Sequence, residues 1–303
     1  MKLNRLVSSP WRSLAVAGAV ALFDAVAVEP NSLDVARVDV PVRDHVDRLA
    51  GVRVAQLTDL HVGGVGWKRG VLARAMAACD EQELDLIAIT GDLIGSAAGV
   101  EPVLELLSAL RSDVPRLAVL GNHDHVHGRR PLEALCGGLR ELGIVLLRNE
   151  ALPLELRSGR VWVVGVDDAY SSRDDLTLAV RRLGREEFPR VLLTHYPDLA
   201  DRLAPGQFQL CLAGHSHGGQ IRIPILTSLV HNGHARTRYA SGLYVVNGNP
   251  LYVSPGLGTS GVPLRFRNWP QLALLSFVPA KEPVLRRHHR RPGAPVVDQA
   301  LRH

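Results

Sequence analysis

The chain has 303 residues, enough for one large domain with a full core or two small ones, and its 46% apolar and 21% charged content excludes wholesale disorder. The net charge of +5 sits on the ends: residues 1–12 carry +3 and residues 280–303 carry +4, which leaves the body at −2. An enzyme of nucleic acids keeps its positive charge on the folded body beside its site, so no nucleic-acid partner is expected.

Lys2, Arg5 and Arg12 precede an uncharged run of 11 residues, Ser13–Phe23, followed by Asp24 and Ala25–Val28. Eleven residues are too few to span a bilayer, where about 20 are needed. The basic-then-apolar order, with Ala25-Val26-Ala27 as a cleavage site, fits a signal peptide. With Asp24 tolerated, the longer segment fits a membrane anchor, and a third reading is a buried N-terminal helix. Residues 1–28 are therefore expected to form a signal or anchor and 29–51 a connector. The folded domain is expected over 52–278, and a basic, disordered tail over 279–303.

From Val52 onward a rhythm begins. Short apolar runs, Val52–Leu57, Leu84–Ile89, Arg116–Leu120, Val161–Val166, Arg190–Thr194 and Phe208–Ala213, read as strands. Helical patterns lie between them at Lys68–Cys79, Val100–Leu110, Pro131–Leu142 and Asp174–Leu183. The alternation predicts an α/β protein, and strands apolar throughout predict sheets buried on both faces. After His217, strands at Leu243–Val246, Leu251–Ser254 and Leu272–Phe277 follow without helices. Cys79, Cys136 and Cys211 are too few and too scattered for a disulfide framework or a zinc motif.

Polar clusters close five of these strands: Thr58-Asp59-Leu60-His61, Thr90-Gly91-Asp92, Gly121-Asn122-His123-Asp124, Thr194-His195-Tyr196 and Gly214-His215-Ser216-His217-Gly218-Gly219-Gln220. Ligands of open α/β sheets bind outside the carboxyl ends of the strands, so all five clusters are expected at one edge. Asp59 and His61, like His215 and His217, are two apart, and on an extended strand end both side chains would face one side. Gly91 and Gly121 allow close backbone approach before Asp92 and Asn122. Carboxylate and amide oxygens with imidazoles suit Mn, Fe or Zn better than Ca, in a set rich enough for two ions. Two cations about 3.5–4 Å apart can activate water and clamp an in-line displacement at phosphorus.

The series Asp59-x-His61, Gly91-Asp92, Gly121-Asn122-His123-Asp124, His195 and Gly214-His215-x-His217 resembles the calcineurin-like metallophosphoesterase superfamily over roughly residues 52–278. The resemblance implies a four-layer β-sandwich flanked by helices, with two divalent metal ions. One ion would take Asp59, His61, Asp92 and His217; the other would take Asp92, Asn122, His195 and His215, with Asp92 as the bridge. His123 would face the substrate phosphate as acid or charge stabiliser, and Asp124 would orient it. The string Gly214–Gln220, Glu29-Pro30 and Ser254–Gly261 with Arg265 resemble a bacterial membrane-associated subfamily, which includes enzymes that hydrolyse the pyrophosphate of UDP-2,3-diacylglucosamine. That implies a phosphate-containing small-molecule or lipid substrate and a place at the bacterial cytoplasmic membrane. Its side stays open, because Arg37, Arg43 and Arg48 follow the apolar segment and nearly balance the cations before it. The competing readings are an inactive binding scaffold, a nuclease and a protein phosphatase of the same superfamily. His125 and His127 are further candidates for the cleft, and His231 and His234 are candidates in a polar loop. Arg222, Arg236, Arg238 and Arg265 are candidates for phosphate contact.

Overall fold

The computed structural model describes residues 10–181, 183, 187–223 and 238–280. The basic tail, His231, His234 and Arg236 lie outside the described residues. Two six-stranded sheets face each other. The first has the order β1 (Asp34–Val42), β12 (Gln271–Pro279), β2 (Arg53–Leu57), β3 (Leu86–Thr90), β4 (Arg116–Val119) and β5 (Val145–Leu146). The second has the order β10 (Gly242–Val246), β11 (Asn249–Val253), β9 (Leu210–Ala213), β8 (Arg190–Leu193), β7 (Gly159–Gly165) and β6 (Glu150–Leu156). β2 to β5 are parallel, as are β7 to β9 with β11; β6 and β10 pair antiparallel at opposite edges.

Each central strand divides its side chains between two cores. Val54, Leu86, Ala88, Leu117 and Val119 meet Val161, Val163, Val191, Leu193, Leu210 and Leu212 between the sheets. The intervening Ala55, Leu57, Ile87, Ile89 and Ala118 face outward onto α3 (Arg69–Asp80), α4 (Val100–Leu107) and α6 (Arg129–Glu141). On the other side Val164, Leu192 and Cys211 pack on α7 (Leu176–Val180) and the 3-10 helix Pro197–Arg202. The layers therefore run helix, sheet, sheet, helix. With no face in water, these strands have no polar period, which is why they read as unbroken apolar runs.

The stretch expected as a connector belongs to the first sheet. β1 pairs parallel with β12 from Asp34 opposite Gln271 to Val42 opposite Pro279, and Val40 and Val42 enter the core between the sheets. Before it, α1 (Pro10–Phe23) continues through a π turn, Asp24–Val28, and a 3-10 turn, Glu29–Asn31. Ser13–Asn31 is thus one helical path of 19 residues with mean hydropathy 1.6, long and apolar enough to cross a membrane. The alternative of a buried helix does not fit: Leu14, Val16, Val20, Leu22 and Phe23 are all more than 60% exposed. The base of the path is docked. Arg265 N–H donates to Ala25 O at 2.9 Å, and the Glu29 carboxylate accepts from Arg267 N at 2.6 Å and Asn268 N at 3.1 Å.

Candidate metal centre

β2, β3, β4, β8 and β9 all release their chains at one edge, and the five polar clusters meet there. Gln56 Nε2 bridges the two sheets at that edge, donating to Thr90 Oγ1 and Ala213 O. Asp59 and His61 converge with the rest, but not by strand alternation. β2 ends at Leu57, and Asp59, His61, Asp92, His215 and His217 all have φ between 46° and 69°. Asp, Asn and His tolerate this left-handed region better than other residues with a Cβ, at a cost of roughly 1–2 kcal/mol each. The turns send Asp59 and His61 into the edge while Leu60, between them, drops into the outer core. A Cβ on Gly121 would overlap the Asp92 carboxylate, and one on Gly91 would lie 2.7 Å from Gly121 N and 2.8 Å from His195 Nδ1. These two glycines let the β3 and β4 ends close around Asp92.

The donors form two nests that share Asp92. In the first, His61 Nε2 lies 3.0 Å from His217 Nε2, 3.4 Å from Asp92 Oδ2 and 3.9 Å from Asp59 Oδ1, and His217 Nε2 lies 3.4 Å from Asp59 Oδ1. In the second, His195 Nε2 lies 3.2 Å from Asp92 Oδ2 and 3.3 Å from His215 Nδ1, which is 3.0 Å from Asn122 Oδ1. His195 Nδ1–H donates to Thr90 O at 2.9 Å, which turns Nε2 inward. His215 packs under Tyr170 and Tyr196, with ring centroids 4.7 and 5.1 Å away.

Protons alone serve this set poorly. Burial pushes Asp59 up to about 6, His61 down to about 3 and His217 well below the usual imidazole range. Two imidazole nitrogens thus face each other beside carboxylate oxygens with little charge to bind them. Burial also opposes ionisation of Asp92, but the charge and hydrogen bond of His195, with His61 and His123, outweigh it and hold that carboxyl low. Asp92 in turn outweighs burial at His195 and raises it to about 10. A divalent cation resolves the conflict, because it takes neutral imidazole and ionised carboxylate together. The clustered Asp and His side chains fit a divalent metal site.

The remaining candidates separate clearly. His123 is half-buried at the rim, its ring 4.7 Å from that of His61 and its N–H on Asp92 Oδ1 at 2.8 Å. Asp124 turns to backbone amides, and among the described residues no hydrogen bond joins it to the His123 ring. Its Oδ1 accepts from Leu93 N and Ile94 N at 2.9 and 3.1 Å, and its Oδ2 accepts from Gly121 N at 2.9 Å. It fastens the turn after β3 to the start of α5 (Asn122–Val126), and burial pushes it up to about 7. His125 is taken by Asp167 at 2.7 Å, which Arg148 also holds. Arg265 is fully buried and donates to the carbonyls of Pro255, Gly256, Gly258 and Asn268, a structural role. Arg238 pairs with Asp201. Tyr170 and Asp167 were missed in the sequence; the available signal was Asp167-Asp168 closing the Val161–Val166 run, a sixth polar strand end.

The family model for calcineurin-like phosphoesterases matches residues 52–219, more than half of the chain. This chain belongs to the calcineurin-like phosphoesterase family. The chain is 29% identical over 239 residues to the "Uncharacterized metallophosphoesterase YkoQ" of Bacillus subtilis, covering 78% of this chain and 87% of that protein. It is 28% identical over 234 residues to the "Phosphodiesterase YaeI" of Escherichia coli, covering 77% and 84%. It is 28% identical over 271 residues to a Danio rerio "Transmembrane protein with metallophosphoesterase domain", covering 84% of this chain and 59% of that protein. As a calcineurin-like phosphoesterase the chain is a metal-dependent phosphoester hydrolase.

Proposed function

We propose that this phosphoesterase holds two divalent cations, Mn, Fe or Zn, and cleaves a phosphodiester or pyrophosphate bond in a substrate presented at a membrane. The observation that carries the reading is the pair of nests sharing one carboxylate. Asp59, His61, Asp92 and His217 would hold one cation; Asp92, Asn122, His195 and His215 would hold the other. Such a pair supplies Lewis acidity at the phosphoryl oxygens and activates water for in-line attack.

The chain's own residues do the rest. His123, at the rim, donates a proton to the departing oxygen or stabilises charge on the phosphoryl group. Thr90 O keeps His195 in the tautomer that turns Nε2 inward. Asp124 holds the Asp92 and Asn122 turns in register through backbone amides. The name of the Escherichia coli relative supports the diester. The exposed apolar helix docked through Ala25 and Glu29, and the name of the Danio rerio relative, support the membrane. A lipid-borne diester or anhydride, a class to which UDP-2,3-diacylglucosamine belongs, fits that placement.

Asp92→Asn tests the sharing of one carboxylate. Mass-spectrometric metal analysis is expected to show the loss of at least one equivalent. Turnover is expected to fall by more than the roughly 10–100-fold that loss of a ligand's hydrogen-bond partner costs. Two full equivalents with normal turnover would refute the bridge.

A further inference from the structure

Beside the metal nests, on the β1–β12 side, a cavity of about 470 Å³ lies between the base of the N-terminal helix and the loop that carries His217. Arg222, Arg267, Asn268, Trp269, Glu29 and Asp34 line it. Its two carboxylates are already occupied. Glu29 accepts from the Arg267 and Asn268 amides, and Asp34 Oδ2 accepts from Gln271 Nε2 at 2.8 Å. Arg222 is different. Its guanidinium is half-buried, and among the described residues it donates only to neutral oxygens, Gly218 O at 3.0 Å and Ser241 Oγ. Among the described residues no carboxylate pairs with it. Burying a guanidinium without an anion is costly, and the fork is shaped for a phosphate or carboxylate. The same groups hold the backbone of the loop that carries His217. Asn268 Nδ2 donates to His217 O at 2.5 Å, and Arg222 holds the carbonyl of the next residue.

We propose that this cavity is an anion subsite. In it Arg222 binds a second, non-reacting phosphate of the substrate while the neighbouring sugar or base lies along Trp269. The assignment rests on the phosphoesterase reading and narrows its substrate class to molecules with two phosphoryl groups. The cavity is of ordinary ligand size and holds a phosphorylated head group, not a polymer. Trp269 is 56% exposed, an open aromatic face for a ring to cover. Glu29 forms one wall, so the subsite ends where the apolar helix begins.

The test compares two esters on the metal-loaded full chain: thymidine 5′-(p-nitrophenyl phosphate) and the same ester carrying a 3′-phosphate. The wild type is expected to show a KM for the bisphosphate lower by roughly tenfold or more, the usual worth of a charged hydrogen bond. That preference is expected to fall to near unity in Arg222→Gln and to return in part in Arg222→Lys. A merely structural role for Arg222 would impair both esters alike and preserve the ratio. In a second arm, metal-stripped protein is titrated with inorganic phosphate and followed by tryptophan fluorescence, with Trp269→Phe as the silent control. Binding is expected to be saturable and weakened about tenfold or more in Arg222→Gln. Competition by glycerol 1-phosphate, against vesicles of phosphatidylcholine with phosphatidic acid, distinguishes a soluble from a lipid-borne source. An unchanged preference and unchanged phosphate binding in Arg222→Gln would overturn the subsite. If neither ester were hydrolysed by the metal-loaded chain, the proposed diester activity would fail, and the phosphate titration would still decide the subsite.

Discussion

His123 and Asp124 are neighbours in sequence with separate work. His123 shows its ring at the rim, beside His61, and ties only its backbone to Asp92. His123→Ala is expected to keep the metals and the fold and to lose roughly 10²–10⁴-fold in rate, the range of a positioned proton donor. An ester with a good leaving group would lose less, because its oxygen departs without a proton. Equal losses on good and poor leaving groups would assign His123 to charge stabilisation instead. Asp124→Asn probes the fastening of the two turns. An amide cannot accept three backbone N–H groups on two oxygens, so at least one buried donor is stranded, at about 1–3 kcal/mol. A lower thermal midpoint is the expected outcome. Unchanged stability with an altered pH–rate profile would instead restore Asp124 as a partner of the His123 ring. The donor residues themselves were legible in the sequence, since each closes an apolar run. The left-handed turns that aim Asp59 and His61 were not, because an i, i+2 spacing reads equally well as an extended strand. The role of Asp124 was hidden for a similar reason: its partners Leu93 and Ile94 are 31 and 30 residues away.

At the scale of elements, strands buried on both faces announced themselves, while the edge strands β1, β5 and β6 did not. β1 carries Asp34, Arg37, Asp39 and Pro41, polar and ring residues that an edge tolerates. Its partner β12 begins 237 residues further on, at Gln271 opposite Asp34, so its pairing has no local trace. β6 is likewise an edge strand, with alternating exposure and Pro153 within it. The N-terminal helix makes the consequence measurable. A chain that starts at Asp24 keeps Ala25 O and Glu29 on the 265–268 turn, whereas one that starts at Asn31 strands the amides of Arg265, Arg267 and Asn268. The full chain is expected to stay with membranes through a high-salt wash, as an apolar anchor does. The chain from Asp24 is expected to be soluble and active on a small phosphodiester, and the chain from Asn31 to melt several degrees lower. Recovery of the intact, uncleaved chain wholly in the soluble fraction at low salt would contradict the anchor. Equal melting of the two truncations would contradict the docking.

Taken whole, the molecule uses two sheets to bring loops from both halves of the chain to one edge, and Asp92 is where the halves meet. His61 comes from the first sheet and His195 from the second, and each lies within 3.4 Å of Asp92 Oδ2. Burying Asp59 and Asp92 among imidazoles at 0–1% exposure makes the metal-free protein carry an electrostatic strain that cations relieve. Cations at a thousand times their dissociation constant would stabilise the fold by about 4 kcal/mol, so metal binding, stability and turnover should move together. The most direct test is to strip the protein with chelator and titrate Mn²⁺ while following hydrolysis of bis(p-nitrophenyl) phosphate. Turnover is predicted to be absent in the stripped protein and to rise to a plateau at two equivalents of metal per chain. Full turnover in the presence of chelator, or a plateau at one equivalent, would contradict a centre in which two cations share Asp92.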